Sequence, residues 1–243
     1  MGFEILEAQR NGEVHDWRPP INDFQDMKRS GTATSETLDA ILSTGNVWEK
    51  PSFLVNCLPS GLGTDALLEI LQHHQIHPLS LALCYGNRRR ALNLLRRLGL
   101  AEAFGSWIGP GGRFRLQDTL VERLPPGLLL RGDSLITDCP ALEDLGDGLK
   151  CMIGNLTIAH CPRLQRLPNG LETMPLTGKI VNADGSEEAL GPSGGNLVLE
   201  DCPELSGFGK DTKVRGQVIV RNCPSYRGKF RRSSVTLLER RPG

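Results

Sequence analysis

From about Gly112 onward the chain alternates apolar and polar residues in short bursts, each opened by glycine and closed by Cys-Pro. Four such bursts are Gly132-Asp-Ser-Leu-Ile-Thr-Asp-Cys139-Pro140, Gly154-Asn-Leu-Thr-Ile-Ala-His-Cys161-Pro162, Gly195-Asn-Leu-Val-Leu-Glu-Asp-Cys202-Pro203 and Gly216-Gln-Val-Ile-Val-Arg-Asn-Cys223-Pro224. Alternation with period two predicts strands. Leu156 and Ile158 then face one side, and Asn155, Thr157 and Ala159 the other. Leu197 with Leu199, and Val218 with Val220, repeat the choice. A degenerate copy, Gly178-Lys-Ile-Val-Asn-Ala-Asp-Gly-Ser186, fits between the second and third, leaving the glycines 22, 24, 17 and 21 residues apart.

The connecting halves recur as well: Val121-Glu-Arg-Leu-Pro-Pro-Gly-Leu128, Leu142-Glu-Asp-Leu-Gly-Asp-Gly-Leu149 and Leu164-Gln-Arg-Leu-Pro-Asn-Gly-Leu171. Units of this length that repeat a strand bury their inner faces only by stacking on one another, so a parallel solenoid of about five to six turns is expected over 112–243. Glycine marks a corner where a side chain would clash or φ is positive. Cysteine is small and readily buried, and proline then ends the strand because it has no N–H to donate. Packing is therefore the expected role of Cys139, Cys161, Cys202 and Cys223. The outward positions form one exposed face: Asp133, Leu135, Thr137, Asn155, Thr157, Ala159, Asn196, Val198, Glu200, Gln217, Ile219 and Arg221. Leu135, Val198 and Ile219 are apolar there, which fits a protein-binding surface or a face covered by the N-terminal arm.

Upstream, the period changes. Residues 52–111 are expected to be helical after one brief strand at Phe53–Leu58. Thr64 or Asp65 would cap a helix carrying Leu67, Leu68, Ile70 and Leu71, ended by His77-Pro78. Ala91, Leu92, Leu94, Leu95 and Leu98 have helical spacing, with Gly99 as the stop. Residues 1–51 read as a loosely ordered arm, broken by Arg18-Pro19-Pro20 and the polar stretch Arg29–Glu36, with a short helix near Thr37–Leu42.

The composite unit Gly-x-Leu-x-Ile-x-x-Cys-Pro-x-Leu-x-x-Leu-Pro-x-Gly-Leu resembles the bacterial leucine-rich repeat family, whose repeats read Leu-Pro-x-Gly-Leu-x-Val-x-Gly-x-Leu-x-Leu. It is also similar to the Cys-Pro-x-Leu-x-x-Leu-Pro repeats of plant resistance proteins. The helical segment resembles an ankyrin repeat through His77-Pro78-Leu79-Ser80-Leu81-Ala82, Gly86-Asn87 and Leu94-Leu95-Arg96-Arg97-Leu98-Gly99-Leu100. That match spans about one and a half repeats, His77 and Ser80 depart from it, and an unrelated helical cap fits equally well. The resemblances imply an α+β repeat protein: a short parallel β-solenoid of leucine-rich type, capped by an N-terminal helical region. They imply binding to another protein, and say nothing of which one.

Charge and candidate chemistry alter this little. Lys+Arg and Asp+Glu are both 28, a balance that argues against a nucleic-acid binder as a whole. Local basic clusters remain at Arg88-Arg89-Arg90 with Arg96-Arg97, and at Arg227, Lys229, Arg231, Arg232, Arg240 and Arg241. No apolar run reaches the roughly 18–20 residues that span a membrane, and the N-terminus lacks the pattern of a secretory signal. The seven cysteines form no CxxC pair. Ser60-Gly-Leu-Gly63 before a helix lacks the rest of a phosphate-binding motif. Cys57 has no local signature of a nucleophile beside His73, His74 or His77. His73 and His77 have the spacing of a metal-binding pair without HExxH or a third ligand. No catalytic residue, cofactor or metal is expected. The expected function is a non-catalytic, cytoplasmic interaction module of bacterial type, an accessory or scaffold subunit of a larger complex. The alternatives are a secreted bacterial effector, and binding of nucleic acid or an acidic partner through the basic C-terminus.

Overall fold

In a computed structural model of the chain, residues 42, 50–58, 62–181, 187–227 and 235–238 are described. The expected arm over 1–51 lies outside them apart from Leu42, Lys50 and Pro51, as does most of the short helix near Thr37–Leu42. Helices come first: α1 Lys50–Cys57, α2 Thr64–His73, α3 Pro78–Cys84, α4 Arg88–Arg97 and α5 Ala101–Phe104. The strand expected at Phe53–Leu58 is therefore helical. A continuous apolar run of six residues carries no period that separates a strand from a buried helix. Gly63, rather than Thr64 or Asp65, is the N-cap of α2. His77 caps α3, its Nδ1 accepting from Leu79 N–H at 3.2 Å, and Asn87 caps α4 by accepting from Arg90 N–H at 3.1 Å.

The rest winds as a parallel β-solenoid of about four turns. Its front sheet orders β1 Arg115–Gln117, β3 Ser134–Thr137, β5 Leu156–Ala159, β8 Leu197–Glu200, β10 Val218–Arg221 and β11 Val235–Leu238, every neighbour parallel. A second parallel row joins β2 Leu129–Arg131, β4 Lys150–Met152, the start of β6 Glu172–Val181, and β9 Lys213–Val214. Bridges Arg123↔Asp144 and Arg166↔Gly207 mark a third stacked station. Backbone groups in each turn are thus satisfied mainly by the turns above and below.

One expected turn is absent. In the part of Gly178–Ser186 that is described, up to Val181, the degenerate repeat is not found: β6 runs on past the second row and pairs antiparallel with β7 Glu187–Gly194, forming a ribbon. β5 then pairs directly with β8, which is why the turn count is lower than the glycine spacing suggested. Stacked residues sit 22 apart before the ribbon and 41 apart across it.

Inward residues of the front strands, Leu116, Ile136, Ile158, Leu199 and Val220, are buried. The connecting leucines Leu124, Leu128, Leu142, Leu145, Leu149, Leu164, Leu167 and Leu171 are buried with them. Each fully buried leucine contributes about 1.5–3 kcal/mol, and the cluster is continuous from Leu54 in α1 to Tyr226. α3 packs against β2, where the Ser80 hydroxyl accepts from the Leu129 N–H at 2.8 Å and Arg131 donates to the Cys84 carbonyl at 3.3 Å. At the corners, Gly132 has φ +76, and a Cβ on Gly154 would lie 2.2 Å from the Gly132 carbonyl carbon. The expected clash and the expected positive φ both occur, on successive turns.

Candidate functional site: the front sheet and the groove beside it

Strand register decides which outward residues meet. Arg115, Leu135, Thr157, Val198 and Ile219 stand in one row across five strands. Leu135, Thr157, Val198 and Ile219 are each half-buried. The next row is Gln117, Thr137, Ala159, Glu200 and Arg221. Thr137 and Ala159 are only 8% and 6% exposed, so these two of the expected face residues contribute little surface. Glu200 and Arg221 pair across strands at 3.8 Å.

The rows are bordered on one side by a ladder of carboxamides. Asn155 donates from N–H and Nδ2 to Asp133 Oδ1, at 3.0 and 3.1 Å. Asn196 donates in the same two ways to Asn155 Oδ1, at 3.2 and 2.9 Å. Gln217 N–H donates to Asn196 Oδ1 at 2.7 Å. Arg113 holds the free side of Asp133 at 3.1 Å. The strand register thus sets eight of the expected residues in two rows, and Asp133, Asn155, Asn196 and Gln217 stack just before the strands, as the bordering ladder.

On the other border, the residue leaving each strand has left-handed backbone: Asp118, Asp138, His160, Asp201 and Asn222, with φ between 50 and 54. Asp, Asn and His tolerate this region better than other side chains, which explains why one of them precedes every Cys-Pro. His160 lies between its neighbours, Nδ1 at 3.3 Å from Asp138 Oδ1 and Nε2 at 3.2 Å from Asp201 Oδ2. Asn222 Nδ2 donates to Asp201 Oδ1 at 2.9 Å. With Pro140, Pro162, Pro203 and Pro224, these side chains line an open groove of about 690 Å³. Sequence reading missed this column. Its signal was the polar residue before Cys-Pro, and the unit Arg115-Leu116-Gln117-Asp118-Thr119-Leu120, which repeats the strand without its Cys-Pro.

Under the groove run the cysteines. Cys139, Cys161 and Cys202 are buried and Cys223 half-buried, all as thiols. Each Sγ–H donates to the carbonyl two residues back, at 3.2–3.3 Å. Their stacking shifts the thiols in opposite directions: Cys139 and Cys202 beside it, together with burial, push Cys161 up, Cys202 and burial push Cys223 up, and Cys161 and Cys223 on either side draw Cys202 down. Cys151, in the second row, is pushed up to about 12 by burial. This is the packed column expected from the repeats.

No protein family, curated protein or solved structure matches the chain.

The other sequence candidates lie elsewhere. Cys57 closes α1, so the strand expected to lead into the glycine stretch is not formed. His73 is the last residue of α2, but His77 is outside that helix, its Nδ1 engaged by Leu79 N–H and its pKa lowered by burial. The i, i+4 helical pair is therefore not formed, because α2 ends one turn earlier than the spacing implied. Among the described residues no three His, Cys, Asp or Glu side chains gather as a metal site. Arg88 donates to the Ile108 carbonyl at 3.0 Å, Arg96 to Asn93 at 3.0 Å, and Arg97 to the Leu62 carbonyl. Arg227 is exposed and donates to the carbonyls of Pro224 and Tyr226 at 2.7 and 2.9 Å. Lys229, Arg231 and Arg232, expected with it as a basic patch, lie outside the described residues, as do Arg240 and Arg241. No described helix is long and apolar enough to cross a membrane.

Proposed function

We propose that this protein is a non-catalytic interaction module that binds another protein across its front sheet, as an intracellular accessory or scaffold subunit of a larger complex. The observation that carries the reading is the registered row of Leu135, Thr157, Val198 and Ile219, half-buried and central on the exposed face. Isolated apolar residues on a surface need no explanation, but an aligned row rimmed by polar side chains marks interaction surfaces. Parallel pairing and the carboxamide ladder hold the row rigid, so little ordering entropy opposes docking. Solenoids bind on such extended faces. We read the turns as leucine-rich repeats of bacterial type and α3 as their end cap, a role supported by the Ser80–Leu129 and Arg131–Cys84 contacts. The carboxylates bordering the face disfavour nucleic acid there.

The test pairs affinity purification of the wild type with that of Val198→Arg/Ile219→Glu, followed by reconstitution from purified components. A partner held by the wild type at micromolar affinity or better, and lost by the folded double variant, supports the reading. Recovery of no partner, or equal retention by both, refutes it.

A further inference from the structure

We propose that the groove beside the front sheet takes an extended basic peptide, its backbone laid along the proline stripe and its Arg or Lys side chains on Asp138 and Asp201. The inference rests on the protein-binding reading and gives the partner a chemistry.

The groove floor is apolar: Pro140, Pro162, Pro203 and Pro224 are all exposed, one per turn. The register continues the stripe to Leu120, 78% exposed and in the place of a proline. Alongside, the left-handed column carries three carboxylates, Asp118, Asp138 and Asp201. Among the described residues no Lys or Arg pairs with any of them, and His160 is the sole basic partner of Asp138 and Asp201. Several arginines of the same turns are engaged elsewhere: Arg115 with Gln117 at 2.8 Å, Arg131 with the Cys84 carbonyl, Arg163 with Glu143 at 3.2 Å, Arg221 with Glu200, and Arg227 with main-chain carbonyls. The Thr137 hydroxyl also donates to Asp138 at 2.9 Å, but among the described residues no Lys or Arg sits on this rim, so the apolar trough with its acidic border matches a cationic chain and disfavours a polyanion.

Spacing narrows the conformation. Stacked strands lie about 4.8 Å apart, so Asp138 and Asp201, two turns apart, are separated by about 9.6 Å. A polyproline II segment advances about 9.3 Å in three residues and returns the same face there. A β-strand presents residues three apart on opposite faces. Basic residues at i and i+3 of a polyproline II segment therefore meet both carboxylates, and its intervening prolines pack on the stripe.

Fluorescence anisotropy on the full chain tests this with labelled (Arg-Pro-Pro)4, the same composition with its arginines consecutive, (Glu-Pro-Pro)4 and a single-stranded RNA. We expect saturable binding of (Arg-Pro-Pro)4, weakened about tenfold in Asp138→Asn/Asp201→Asn and falling with salt, with no binding of the glutamate peptide. Weaker binding of the consecutive-arginine peptide supports the register. The inference is overturned by no saturable binding, by unchanged affinity in a double variant that melts like the wild type, by equal affinity for the consecutive-arginine peptide, or by tighter binding of RNA. If the front-sheet variant still loses its reconstituted partner while the peptides fail, only this inference falls.

Discussion

Replacing Asn155 by alanine removes one rung from the carboxamide ladder and leaves the strand backbone in place. The side chain makes three hydrogen bonds: Nδ2 donates to Asp133, and Oδ1 accepts from the N–H and Nδ2 of Asn196. One is charge-assisted and the other two are neutral. The site is half-buried, so water recovers part of each. At about 1 kcal/mol per bond, the loss is about 2–3 kcal/mol. For a folded unit of this size that is a drop in Tm of about 4–12 °C. Thermal and urea unfolding followed by circular dichroism measure it. Asn155→Asp is the informative companion: it keeps an acceptor for Asn196 but sets a carboxylate against Asp133. It should destabilise at neutral pH and recover as the medium is acidified. An Asn155→Ala variant within about 0.5 kcal/mol of the wild type would show that the ladder decorates the edge without holding it.

Other outcomes follow from the same stacking. Gly154→Ala should cost about 1–3 kcal/mol or more, because its Cβ would sit 2.2 Å from backbone of the preceding turn. Gly127→Ala, with open space at its Cβ, should cost only the left-handed penalty of about 1–2 kcal/mol; equal Tm losses would refute the close approach. In folded protein, Cys139, Cys151, Cys161 and Cys202 should resist alkylation and react fully in denaturant, as read by peptide mass mapping. Rapid labelling of Cys151 would contradict its buried, raised-pKa thiol. Hydrogen bonds from the Asn169 side chain and N–H hold Asp147 below the usual carboxylate range. A depressed folded pKa means that its stabilisation is present above the unfolded value and is lost as pH falls through the folded one. Asp147→Asn should therefore flatten the acid limb of a Tm-against-pH curve, and parallel curves would reject the assignment. Replacing the ribbon between Pro175 and Gly194 by a short Asn-Gly turn should leave the solenoid folded, since β5 and β8 already pair; loss of cooperative melting would mean that the ribbon props the stack.

The front strands were legible because their side chains obey a strict period of two and Cys-Pro punctuates each one. Inward Leu156 and Ile158 and outward Asn155 and Thr157 stand where that period put them. Lys150-Cys151-Met152 was not legible as a strand: three residues are too few to display alternation, and its partners lie a whole turn away. Gly178-Lys-Ile-Val misled for a related reason. It imitates a strand opening, but only the chain it pairs with distinguishes a solenoid turn from a ribbon, and the short glycine interval that followed was the sole local hint. The groove escaped notice because its polar members are set by backbone handedness rather than by burial, so a hydrophobicity pattern passes over Asp138, His160, Asp201 and Asn222.

The two carboxamide ladders also have a direction. In each, an Asp in the earlier turn only accepts, and every later Asn both accepts from the next turn and donates to the previous one: Asp133 to Asn155 to Asn196, and Asp147 to Asn169 to Lys210 N–H. An asparagine in the first place would point its amide hydrogens at no ladder acceptor, whereas a carboxylate has no hydrogens to place. Such an array has distinct first and interior units, and duplicating a turn should work only when the copy is made from an interior one. A lengthened protein built by repeating the Asn155–Asn169 turn keeps every amide in register, while one built by repeating the Asp133–Asp147 turn stacks carboxylate on carboxylate.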